Sequence, residues 1–331
     1  MSDARSSSAT ATTGTVDPTR PYRGRFAPTP SGPLHFGSLI AAVGSYLEAR
    51  TRHGQWLLRL EDLDPPRERP GAADAILATL ERLEMHWDGP VLRQSTRTDA
   101  YDLALDRLAA AGLTFRCACS RALLAGLPQN RRRDPGDELF HPRGCLVPTV
   151  ASADTACRFK APDRGIVFMD RVQGRQATNV ASSVGDFVLR RRDGWYAYQL
   201  AVVVDDAAQG VNDVVRGADL LASTSRQILL QEALGLPRLT YMHLPLAVDE
   251  SGLKLSKSDD APALSRESPA AQVVAALEFL RQSPPEGLGR AAPGEVWQWA
   301  TANWRPERFE GMTQGPPSGT SVGNALQEDR Q

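Results

Sequence analysis

Residues Arg25 to Ser38 read R-F-A-P-T-P-S-G-P-L-H-F-G-S. The alternation from Tyr22 to Ala27 predicts a short strand, and the apolar, alanine-rich run from Leu39 to Ala49 predicts a helix. Between them Pro28, Pro30, Gly32 and Pro33 fix a tight turn that delivers His35 and Gly37 to the first turn of the helix. A helix N-terminus offers N–H groups and partial positive charge. Glycine at 37 leaves the backbone open to a planar base or a phosphate, and an imidazole at 35 can donate to phosphate oxygens. Two readings of His35 stand at this point: a residue that caps or packs, and a phosphate donor.

Far downstream, Leu253 to Ser258 read L-K-L-S-K-S, after the polar Asp249-Glu250-Ser251-Gly252. The chain has 38 basic residues and only three lysines, Lys160, Lys254 and Lys257. A chain that otherwise chooses arginine has placed two ammonium groups within four residues. Lysine is a point charge on a flexible stem, suited to a phosphate whose charge moves during reaction, whereas arginine is a rigid fork. A solvated turn with chance lysines is the alternative. Together H-F-G-S and K-L-S-K-S resemble the two signatures of class I aminoacyl-tRNA synthetases, and the fuller R-F-A-P-T-P-S-G-P-L-H-F-G resembles the glutamate branch of that class.

Composition sets limits. A length of 331 residues with 41% hydrophobic content suits about two domains with sizeable cores. A net charge of −1 gives no global basic field, so any RNA contact must come from local arginine clusters. No apolar run approaches about 18 residues. Met1 to Arg20, rich in Ser, Thr and Ala, reads as a disordered leader without the apolar core of a secretory signal. Four cysteines do not make a secreted disulfide framework, and a cytoplasmic location is expected.

In chain order, Gln55 to Leu60 reads as a buried parallel strand that completes a βαβ unit. At its carboxyl end comes Arg59-Leu60-Glu61-Asp62-Leu63-Asp64, where ligands sit in an open α/β sheet; a charged loop of helix caps is the alternative. Helices are predicted at Gly71 to Leu83 and Thr98 to Ala111, both as core packing. From Asp186 the pattern returns to sheet. Phe187 to Tyr198 reads as a hairpin around Asp193-Gly194, with Tyr198 at a strand end, in the cleft or in the core. Asn212 to Leu220 gives a strand exposing Arg216, able to bind a carboxylate or to pair with Asp213 or Asp219. A helix from Ser223 to Leu234 and a strand from Thr240 to Leu244 complete a second half. The expected fold is α/β: a Rossmann-type parallel sheet whose halves, 21–110 and 186–260, are split by an insertion, 111–185.

The insertion carries Cys117-Ala118-Cys119 and, past an arginine-bearing loop, His141-Pro142-Arg143-Gly144-Cys145. Three thiolates and an imidazole can close a tetrahedral zinc site that would order a loop too polar to order itself; free buried cysteines are the alternative. Cys157, in a predicted strand, reads as a small buried residue. Arg131 to Arg133 are either a solvated loop or a phosphate-backbone contact. After Ser258 only 73 residues remain, with helices predicted at Pro269 to Arg281 and Pro293 to Asn303 and a disordered tail from Gln314.

Y-A-Y-Q-L-A-V-V-V-D-D and D-V-V-R-G-A-D-L also resemble the glutamate branch, and the cysteine pattern is similar to the C-x-C then Y-x-x-x-C of its truncated members, the glutamyl-queuosine tRNA(Asp) synthetases, with His141 standing where the tyrosine is expected. The resemblance spans Tyr22 to Asp260. It implies no anticodon-binding domain, activation of L-glutamate by ATP with Mg²⁺, and esterification onto queuosine in the anticodon of tRNA(Asp). It further implies that Arg25, Phe26, Ala27, Pro28, Thr29, Glu61, Tyr198 and Arg216 hold glutamate, with Glu61 on its amino group. His35, Gly37, Ser38 and Lys257 would hold ATP, with His35, Lys257 and Lys254 catalytic. Two rivals are charging of tRNA(Glu) and a non-catalytic zinc-bearing RNA-binding protein of the same fold.

Overall fold

Strand β1 (Arg23–Phe26) pairs in parallel with β2 (Gln55–Leu60), and helix α1 (Phe36–Thr51) crosses between them, forming the expected βαβ unit. The computed structural model describes residues 20–131, 139–147, 154–249 and 268–317; Lys254, Lys257, Arg132, Arg133, the leader to residue 19 and the tail from 318 lie outside them. Helix α2 (Ala72–Arg82) leads to β3 (Leu92–Arg93), which extends the sheet beyond β2. Helix α3 (Thr98–Ala110) then leads into β4 (Thr114–Cys117) and the short α4 (Arg121–Ala125).

The insertion is not a separate layer. Its β5 (Ala156–Phe159) joins β4 and β8 (Phe187–Arg190) in an antiparallel sheet, whereas β6 (Gly165–Asp170) pairs with β10 (Thr240–Leu244) of the second half. With β7 (Gly174–Asn179) and β9 (Asp213–Gly217) the second sheet runs β7-β6-β10-β9, parallel except for β7. Asn212 ties β9 to β1: its backbone N–H donates to Arg23 O at 3.0 Å, and its side-chain oxygen accepts from Arg23 N–H at 2.9 Å. The carboxyl ends of β1, β2, β9 and β10 therefore meet at one edge, where ligands of open parallel sheets bind.

Short α5 (Val180–Ser183), then α6 (Tyr198–Ala208) and α7 (Thr224–Ala233), cover the second half. One apolar cluster joins α1, β1 and β2 to α8 (Pro269–Phe279) and α9 (Pro293–Asn303); a second joins α3, α6, α7 and β10. Helix α1 presses so closely on β10 that a Cβ at Gly44 would stand 2.5 Å from Leu244 Cδ1.

Three expectations are corrected. Tyr198 is not at a strand end; it opens α6, and Gln199 to Val204 are helical. The run hides its period because Leu200, Ala201, Val202 and Val203 are all buried, so neither alternation nor a polar face shows. The hairpin reduces to one antiparallel bridge, Arg190 with Tyr196, closed by Gly194 at φ 90°. Gln314 and Gly315 are not tail: they form β12 (Gln314–Gly315), parallel to β11 (Leu246–Ala247).

Candidate active site

The turn after β1 is pinned from both sides. Glu61 N–H donates to Pro28 O at 2.9 Å and Arg69 N–H to Pro30 O at 3.1 Å, which sets the R-L-E-D-L-D loop against the A-P-T-P turn. His35 is the N-cap of α1, with its Nδ1 accepting from Ser38 N–H at 3.2 Å. A Cβ on Gly37 would lie 3.2 Å from the imidazole Cε1, so glycine lets the ring fold back over the helix. Because Nδ1 accepts, Nε2 of the neutral ring carries the proton; it faces Ser38 Oγ at 3.0 Å. Capping and donation thus use different nitrogens of one ring, and the two readings of His35 are compatible.

Deeper in, Asp206 on α6 receives two arginines. Its Oδ1 accepts from Arg25 Nε at 3.0 Å and from Arg59 Nη1 at 2.7 Å. Burial alone would raise the Asp206 carboxyl, but the two guanidinium groups hold it below the usual carboxylate range. Arg59 Nη2 also lies 3.5 Å from Glu61 Oε1, an ion pair without a hydrogen bond. Burial pushes the Glu61 carboxyl up, against the pull of Arg59 and Arg25. Oε1 of Glu61 is a buried acceptor that no donor among the described residues satisfies.

On the opposite side Arg216, near the end of β9, donates from Nη1 to Tyr198 Oη at 3.3 Å, from Nη2 to Thr224 Oγ1 at 2.8 Å, and from Nε to His243 Nε2 at 3.0 Å. Its guanidinium stands 5.8 Å from the centre of the Tyr241 ring. Burial raises the Tyr198 hydroxyl above its usual range, against Arg216, so it remains a neutral donor and acceptor.

These groups line one cleft of about 770 Å³. All eleven described members of the expected glutamate and ATP sets are on its wall: Arg25 to Thr29, His35, Gly37, Ser38, Glu61, Tyr198 and Arg216. Leu246 and Ala247 of β11 also line it, paired with β12.

The cysteine cluster assembles at the end of β4 from two nearby positions and one 26 residues beyond the second. Sulfur atoms of Cys117, Cys119 and Cys145 lie within 4.8 Å of one another and could hold a metal ion. Nε2 of His141 is 3.2 Å from Cys117 Sγ, while its Nδ1 faces Pro142 O at 2.7 Å; the ring meets this one sulfur and is not within the three-sulfur group. Backbone N–H groups of Cys119, Ala118 and Leu146 point at Cys117, Cys145 and Cys119 sulfur at 3.3 to 3.4 Å. Burial pushes the Cys117 thiol up to about 11 and holds the His141 ring below its ordinary value, hence neutral. Asn130 ties the loop ends, donating to Leu124 O at 2.7 Å and Phe140 O at 2.9 Å. Cys157 stands apart on β5, between Arg116 and Arg190.

Residues 22–281 match the catalytic domain of the tRNA synthetases class I (E and Q). The chain belongs to that family. The synthetase is 56% identical to a glutamyl-Q tRNA(Asp) synthetase of Dechloromonas aromatica over 285 residues, 86% of this chain and 94% of that one. It is 54% identical to the protein of that name from Aromatoleum aromaticum, over 87% and 90% of the two chains. A glutamate tRNA ligase from Elizabethkingia meningosepticum, crystallised with its amino acid, superposes with a TM-score of 0.73 at 25% identity, covering 90% of this synthetase and 68% of that chain. No helix among the described residues is long and apolar enough to cross a membrane.

Sequence reasoning missed the residues behind the synthetase's cleft: Arg59, Asp206, Thr224, His243 and Asp170. The signal for Asp206 was present, a carboxylate pair closing an apolar run, but its partners are 147 and 181 positions away.

Proposed function

We propose that the chain activates L-glutamate with ATP and transfers it to queuosine in the anticodon of tRNA(Asp). The supporting observation is the convergence of the eleven expected residues on one cleft large enough for an amino acid and a nucleotide. The names of relatives at 50–56% identity supply the RNA.

Glutamate enters with its side-chain carboxylate on Arg216 and Tyr198 and its ammonium at Glu61, whose unsatisfied Oε1 gains a donor. A carboxylate oxygen on Cα then attacks the α-phosphorus of ATP in line. The new C–O–P bond forms as the bond to pyrophosphate breaks, giving glutamyl-adenylate. The cleft's contribution is orientation and stabilisation of phosphate charge. His35, its Nδ1 fixed by Ser38 N–H, exchanges the Ser38 Oγ contact of its Nε2–H for a phosphate oxygen when ATP binds. Lys257, with Lys254, supplies mobile positive charge on the pyrophosphate side, and Mg²⁺ accompanying ATP would neutralise phosphate oxygens. In the second step a hydroxyl of the queuosine ring attacks the activated carbonyl, AMP leaves, and the hydroxyl proton departs with it or to solvent.

The cysteine cluster fits zinc. Three sulfurs already face one another, and a neutral histidine with its second nitrogen fixed on Pro142 O can complete four soft and borderline donors after a small ring movement. Bound there, zinc would cross-link β4 to the 139–147 segment and take no part in the chemistry.

Labelling tests the whole reading. Radioactive glutamate should appear on tRNA(Asp) carrying queuosine and not on the same RNA lacking it; labelling of tRNA(Glu) instead would replace the proposed acceptor.

A further inference from the structure

What fixes the Arg216 guanidinium lies outside the cleft. Asp170, the last residue of β6, is saturated with donors: Oδ1 accepts from N–H of Val172 at 3.0 Å, Gln173 at 2.8 Å and His243 at 3.3 Å, and Oδ2 meets His243 Nδ1 at 2.6 Å. His243 Nε2 in turn faces Arg216 Nε at 3.0 Å. An arginine Nε always carries hydrogen, so His243 Nε2 must accept; the proton of the neutral ring therefore sits on Nδ1, where Asp170 receives it. Both side chains are fully buried, and neither lines the cleft.

The same guanidinium is gripped on a second edge by Thr224 Oγ1 and Leu220 O, both taking Nη2 hydrogens. Nη1 meets the Tyr198 hydroxyl, which engages one of its two N–H groups and leaves the other for a ligand.

We infer that Asp170 and His243 are positioning residues that set substrate specificity: by presenting an unprotonated Nε2 to Arg216, they turn the guanidinium's Nη1 edge into the cleft, where it selects a substrate ending in a carboxylate. This rests on the reading of Arg216 as the holder of the glutamate side chain. An acceptor-only carboxylate matches the donor-only edge, whereas the amide of glutamine brings its own N–H groups against it. A His243 ring protonated on Nε2 would meet Arg216 Nε–H donor to donor and push the fork out of register.

Asp170→Asn tests the relay, because an amide N–H facing Nδ1 moves the ring proton to Nε2. In glutamate-dependent ATP–pyrophosphate exchange by the full chain, the glutamate KM should rise at least about tenfold, the cost of one broken charge-assisted bond, while the ATP KM stays within about twofold. Added to Arg216→Ala, Asp170→Asn should change nothing further. His243→Gln, whose amide oxygen can accept from Arg216 Nε, should recover part of what His243→Leu loses. Long-range proton–nitrogen spectra of ligand-free wild type should show a neutral His243 protonated on Nδ1. A ring protonated on Nε2, equal rises in both KM values, or full additivity with Arg216→Ala would each overturn the inference. The spectra and the glutamine rescue decide it even if Asp170→Asn fails to fold. Absence of exchange by wild type would count against the proposed activity alone, and the spectra would still decide the relay.

Discussion

The cleft and the cysteine cluster each gather side chains from distant parts of the chain, but they are held by different forces. Around the cleft, Arg25, Arg59 and Asp206 lock one another by short ionic hydrogen bonds, and the two strands and the helix carrying them pack into two large apolar clusters. Among the described residues the apolar cluster at the cysteine end has only Cys117, Cys119 and Leu124 as its buried members, fringed by Phe115, Leu127, Leu139, Cys145 and Val147. Its thiols face one another with little apolar burial to hold them. A site that works by preorganisation needs a scaffold that stands without its ligand; a structural metal site can let the ion supply the cohesion.

The contrast breaks most easily at Asp206. Asp206→Ala strips Arg25 of its ion-pair partner and leaves Arg59 with Glu61 alone, and should cost about 3–5 kcal/mol of folding stability in denaturant unfolding. A loss below about 1 kcal/mol would mean that the ion pairs do not hold the cleft. Arg216→Ala should act on binding rather than folding. It should lower kcat/KM for glutamate in ATP–pyrophosphate exchange by about 100-fold, with the melting temperature little changed. Cys119→Ser should lose bound zinc, measured by metal analysis, and expose residues 118–147 to protease while exchange stays within about threefold of wild type. Unchanged metal content would remove the clamp, and collapse of exchange would show that the two regions are coupled.

The smallest effect is on pH. The folded carboxyl of Asp206 lies below its ordinary value near 3.8, so its contribution is complete above that value and is lost as pH falls through the lower folded one. Glu61, raised by burial from its ordinary 4.5, works the other way and loses stability as pH climbs. Wild type should therefore lose more stability than Asp206→Asn between about pH 4 and pH 2 in acid titrations followed by fluorescence. Parallel curves would assign the acid limb elsewhere.

Legibility followed the same division. Gln55–Leu60, Thr240–Leu244 and Pro293–Asn303 fall where Gly, Pro and charge punctuate the sequence. The cleft-facing residues were readable because local motifs carry them. Helix α6 was not, since an element buried all round shows no period. Neither was the relay of Asp170, His243 and Arg216, because β6 was assigned to the insertion and no local pattern says that it lies beside β10. Asn130, which ties the loop ends, was likewise a lone polar residue in a polar stretch.

The most direct test is ATP–pyrophosphate exchange by the full, zinc-loaded chain in the absence of RNA. The account predicts exchange that depends on glutamate and is not supported by glutamine or aspartate. Exchange with none of the three, or equally with all, would contradict a cleft built to bring this amino acid to ATP.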